Sequence, residues 1–101
     1  MKQVIFKYKL EPGVTAITVR GLEWPLHVGT QVDEDRDENM YIWLRACPAK
    51  RESVRRFSVH PTGVEWNVEK NERYDHVGTV QMKTPLGEMV FHVFEIMTRS
   101  I

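Results

Sequence analysis

The chain has little of what would announce a chemistry. Cys47 is its one cysteine in 101 residues, so no internal disulfide can form, a disulfide-stapled secreted scaffold is excluded, and a reducing cytosol suits the free thiol. No apolar run approaches the roughly twenty residues that cross a bilayer as a helix. The opening Met1-Lys2-Gln3-Val4-Ile5-Phe6-Lys7-Tyr8-Lys9 sets lysines inside its apolar residues, unlike a signal peptide. A cytoplasmic protein without a membrane partner is therefore expected. Net charge is missing too. Fourteen Lys and Arg balance fourteen Asp and Glu, which removes the simplest electrostatic argument for nucleic acid or an anionic membrane. A near-neutral surface also offers little colloidal repulsion, so homo-oligomerisation would be unsurprising. With no repeat, low-complexity stretch or linker, residues 1–101 read as a single domain.

What is present alternates with the period of a strand. Val4, Phe6, Tyr8 and Leu10 share one face, with lysines on the rest, as in a half-buried strand. Val14 to Arg20 follows as a second, rich in β-branched residues. Leu22-Glu23-Trp24-Pro25 reads as a connector, its tryptophan held extended by the proline, and Leu26 to Val32 as a third strand. Met40 to Cys47 and Glu88 to Ile96 are the strongly apolar runs. In the latter Met89, Phe91 and Val93 oppose Val90, Phe94 and Ile96. A strand apolar on both faces is expected to be central and covered on both. Thr84-Pro85-Leu86-Gly87 is turn chemistry joining that strand to His76–Lys83. Phe57 to His60 and Val64 to Val68 complete the set, and Glu65 to Tyr74 leaves room for one short helical turn. About seven short strands with turn signals between them predict an all-β fold, a small antiparallel sandwich or barrel.

The charged connectors differ in sign. Residues 33–38 hold five acids and one base, whereas residues 45–56 hold five bases and one acid. Asp33, Asp35 and Asp37 have the one-three-five spacing of a calcium loop, but Glu38 and Leu44 stand where such a loop needs glycine and a bidentate glutamate. A solvated tip is the expectation there. His27, His60, His76 and His92 show no metal-ligand spacing, so neither metal nor cofactor is expected. Pairing Cys47 with His76 or His92 as a catalytic dyad would be spatial, and no spacing supports it. In the basic connector Lys50, Arg51, Arg55 and Arg56 could meet phosphate or acidic groups. Trp24 is the aromatic residue placed to be exposed beside them. These five are the candidate binding residues, for a small anionic ligand or an acidic protein surface.

Phe6-Lys7-Tyr8, Trp43-Leu44, Arg56-Phe57 with Thr62-Gly63, and above all His76-Val77-Gly78-Thr79-Val80-Gln81 and Val90-Phe91-His92-Val93-Phe94-Glu95 resemble a family of small bacteriophage and prophage proteins whose shared domain has no assigned function. The long acidic tip and Trp24-Pro25 depart from that pattern. The resemblance implies expression inside a host bacterial cell and an accessory role. The expected function is non-enzymatic binding of a host or phage protein, or of a defence-related nucleotide. A minor virion structural or assembly protein working through oligomerisation is the alternative.

Overall fold

The computed structural model describes residues 1–98. Seven strands form two antiparallel sheets: β1 (Val4–Leu10), β2 (Gly13–Arg20), β3 (Leu22–Val32), β4 (Glu38–Ala46), β5 (Glu52–Pro61), β6 (Glu72–Thr84) and β7 (Gly87–Thr98). The first sheet has the order β1-β4-β3 and the second β2-β5-β7-β6. They form an open sandwich, not a closed barrel, and no helix occurs among the described residues. The all-β expectation therefore holds, and the helical turn allowed near Glu65 is absent.

Alternation builds the core. Along β4 every second residue from Met40 to Ala46 is buried, and Phe57, Val59, Phe91 and Val93 face them from the second sheet. Burying such rows removes apolar surface at roughly 25 cal/mol per Å². One flank of the sandwich turns a corner, where β1 runs through Glu11 and Pro12 into β2. At the other flank β3 packs along β6. There Val28 comes so close that a Cβ on Gly78 would lie 2.4 Å from its Cγ2. Only glycine permits that approach without displacing the neighbour.

The strand boundaries differ from expectation in four places. Trp24 and Pro25 lie within β3, because β3 is an edge strand and two register shifts, Leu22/Trp24 and Pro25/His27, relieve the missing proline N–H. Glu52 to Arg56 extends β5 rather than forming a connector, since its charged side chains lie at the exposed strand end or pair across the sheet. Glu72 to Asp75 likewise belongs to β6. Val64 to Val68 is not a strand. Trp66 instead lies over the outer face of the second sheet, stacked on His60 with ring centroids 3.8 Å apart.

Both long apolar strands are interior to their sheets, but neither is covered on both faces by other strands. The outer row of β4, with Tyr41 and Trp43, is half-buried by its own neighbours. His27 packs on Trp43, and the Lys7 ammonium sits 4.6 Å from the Tyr41 ring centroid. The outer row of β7 is covered at Phe94 by Trp66 and Tyr74. Side chains, not further strands, cover those outer rows.

Candidate functional site: the cleft at the β3–β6 seam

Where β3 and β6 diverge beyond the Val28–Gly78 contact, the seam opens into a cleft of about 400 Å³. Bulges on both sides shape it, at Glu23 and Leu26 in β3 and at Val77 in β6. A bulge kinks its strand and redirects side chains. Trp24 is thereby turned outward, 63% exposed, and lines the cleft with Pro25, Val77 and Met97.

Glu95 and Arg55 lie on its inner side. Glu95 continues the inward row of β7 after Phe91 and Val93 and is only 5% exposed. A carboxylate so placed needs a partner. Arg55 Nε supplies it, while Arg55 Nη1 donates to the Leu22 carbonyl at 3.4 Å. On the outer side Arg73 grips Asp75 with two bonds of 2.8 and 3.0 Å. That bond is the main reason the Asp75 carboxyl lies below, and the Arg73 guanidinium above, its ordinary pKa. Glu23 is held by Arg45 and Lys50, each at 3.6 Å, and by the Gln3 amide at 3.2 Å. The charges are thus paired before any ligand arrives. Three carboxylates and two guanidiniums line the cleft, with one large ring left bare.

Strand alternation divides the candidate basic residues. Trp24 and Arg55 meet in the cleft. Arg56, one residue on, points to the opposite face, where it bonds Glu72 at 3.1 Å and the Thr98 hydroxyl at 3.2 Å. Lys50 is engaged through Glu23 at the edge of the site. Arg51 is exposed in the turn before β5, where its carbonyl accepts from the Gly21 amide. Glu95, Arg73 and Asp75 were not among the candidates. Glu95 had a readable signal, an acid occupying an inward position of the most apolar strand, and Arg73 and Asp75 stand two residues apart on one face of β6, in regular register with Met97 and Glu95.

Three of the four histidines, His60, His76 and His92, gather on the outer face of the second sheet. His60 and His92 are register partners, as are Thr79 and His92. With the Thr62 hydroxyl donating to the Val90 carbonyl, the four bonds run in one direction. His76 Nε2 donates to Thr79 Oγ1 (3.0 Å), Thr79 to His92 Nδ1 (3.2 Å), His92 Nε2 to Thr62 Oγ1 (2.7 Å), and Thr62 to the Val90 carbonyl (3.3 Å). Both nitrogens of His92 are thereby occupied. Cys47 is fully buried just beyond β4 in the other sheet, and no hydrogen bond joins it to a histidine among the described residues.

At the acidic tip the Asp33 carboxylate turns inward and accepts from the Tyr41 hydroxyl at 2.7 Å and from the Asn39 amide. These bonds, Tyr41 first, lower the Asp33 pKa. Among the described residues no three His, Cys, Asp or Glu side chains converge as a metal site.

Fold and cleft together define an open two-sheet β-sandwich with a charge-paired, tryptophan-rimmed cleft on one seam. Over residues 1–100 the chain matches the family described as a domain of unknown function, DUF7352, and it belongs to that family. No curated protein and no solved structure matches it.

Proposed function

We propose that this is a non-enzymatic accessory binding protein of bacteriophage origin, acting in the cytoplasm of the host cell and engaging its partner through the seam cleft. One observation carries the reading: Trp24 stands bare beside the Arg55–Glu95 pair, in a cleft flanked by bulges on both strands. Tryptophan and arginine at the centre of a concave surface are the residue types that dominate binding energies. Of the two partner classes, the charge balance favours a protein. Each guanidinium in the cleft already holds a carboxylate, so a bare polyphosphate would have to displace one, whereas a partner loop can satisfy both signs. A defence-related nucleotide stacked on Trp24 is the competing occupant.

The test uses Trp24→Ala, which removes little buried surface. A host protein that binds the wild type should bind the variant about tenfold or more weakly by calorimetry, with the thermal midpoint unchanged. Binding that is indifferent to this substitution overturns the reading. A midpoint raised by nucleoside phosphates, in a salt-sensitive way and only with Trp24 present, would move the assignment to the nucleotide.

The alternative role, a minor virion or assembly protein, is favoured by a different observation, the open edge of β2.

A further inference from the structure

An antiparallel sheet that ends in solvent leaves a row of N–H and C=O groups able to pair with another chain, and proteins blunt such edges with charge, proline or bulges. Of the four edges here, three carry these devices. β1 places Lys7 and Lys9 along its length. β3 contains Pro25 and two register shifts. β6 contains a bulge at Val77 and is studded with Glu72, Arg73, Asp75 and Lys83.

β2 has none of them before its last residue, Arg20. From Gly13 to Val19 it reads Gly-Val-Thr-Ala-Ile-Thr-Val, without charge or proline. Its eight residues pair with β5 in one unbroken register. Among the described residues, no backbone group of Val14–Val19 bonds to anything outside the sheet. Its outer row, Val14, Ala16 and Thr18, is exposed, and Val54 beside it is 62% exposed.

We infer that β2 is an interface between two copies of this chain, paired edge to edge and antiparallel about a two-fold axis, so that two four-stranded sheets become one of eight. The sequence is self-complementary for that arrangement. A two-fold at Ala16 sets Val14 opposite Thr18 on both sides of the axis. It also brings Arg20 of each copy next to Glu11 of the other, and no like charges oppose. The same operation on β1 would set Lys7 against itself, which is unfavourable. Because the interface is isologous, it closes at the dimer instead of growing into a fibre. The inference stands apart from the cleft, which lies on the opposite flank.

Sedimentation velocity across a concentration series tests it, with hydrogen exchange at Val14–Val19 as a second reading. The wild type should sediment at twice the 11.9 kDa chain mass, and its β2 amides should gain protection as concentration rises. Ala16→Lys, at an exposed site, should sediment at one chain mass with its thermal midpoint nearly unchanged. Ile5→Lys on the guarded β1 edge should remain dimeric. A wild type that stays monomeric to about millimolar concentration, or a dimer that survives Ala16→Lys or is broken by Ile5→Lys, overturns the inference. Should Ala16→Lys fail to fold, Thr18→Lys replaces it, and exchange at β2 that is independent of concentration overturns the inference without either variant.

Discussion

Two residues set within apolar surroundings carry predictions of their own. Arg55 neutralises a carboxylate that is almost wholly removed from water, although its own side chain keeps about a quarter of its exposure. Removing it in Arg55→Ala strands Glu95. Breaking a fully buried pair costs about 3–5 kcal/mol, and the partial exposure of Arg55 lowers the expectation to roughly 2–3 kcal/mol. Urea denaturation of the variant measures this. The double variant Arg55→Met with Glu95→Leu should recover most of the loss, since no charge is then left unpaired. His60 carries the second prediction. Burial, with the neighbouring His92 as a lesser cause, holds its pKa below the ordinary 6.5. Above that value the ring is neutral in both the folded and the unfolded chain, and this contribution is flat. As pH falls through 6.5 the unfolded chain takes up a proton that the folded one resists, so stability declines until the folded pKa is reached. The thermal midpoint should therefore drop as the pH is lowered through the ordinary value of 6.5. In His60→Phe, which keeps a ring against Trp66, the drop should shrink.

At the scale of elements, glycines and the Trp66 segment decide the geometry. Gly21 joins β2 to β3 at φ +59°, and a Cβ there would lie 2.2 Å from the Cys47 carbonyl oxygen. Its carbonyl also accepts from the Cys47 amide at 2.9 Å. Gly21→Ala therefore combines a left-handed backbone with a collision against main chain. It should cost about 2 kcal/mol or more, read as a lower denaturation midpoint with an unchanged urea slope. Strand identity was readable in sequence wherever a residue row alternated, as in β1, β4 and β7. The boundaries at Trp24-Pro25 and Glu52 to Arg56 were not, because proline and charge usually mark turns. Here an edge position and cross-strand partners make them tolerable. Val64 to Val68 failed for the converse reason. Its alternation is real, but no strand lies beside it to pair with, and only Trp66 finds a surface to cover. The cleft was legible to the extent of Trp24 and Arg55. Glu95 was readable as an acid on an inward position of β7, but the opening that brings it together with Arg73 and Asp75 is shaped by bulges, and a bulge adds one residue with no compositional mark.

The molecule as a whole is thin, its Cα extents 43 × 37 × 16 Å, because two sheets share one core and little else. Its connectivity governs how it can form. Only β3–β4 and β6–β7 pair as neighbours in sequence. β1 must find β4, β2 must find β5, and β5 must find β7 across β6. Closing long loops costs chain entropy before the contacts stabilise anything, and folds dominated by such pairings refold in milliseconds to seconds. Stopped-flow refolding of this chain should fall in that range. The β6–β7 hairpin offers the exception, a two-residue link at Pro85–Leu86 with the Thr84 hydroxyl donating to the Gly87 carbonyl at 2.9 Å. If this local turn forms before the distant pairings, Thr84→Ala should slow refolding by most of the stability it removes. A change in the distant β2–β5 ladder, such as Ile17→Val, should instead speed unfolding. The loss expected for Ile17→Val is about 0.5–1.5 kcal/mol, enough to separate the two limbs of a chevron. A Thr84→Ala effect confined to the unfolding limb would place the hairpin after the long-range step and reverse the order argued from topology.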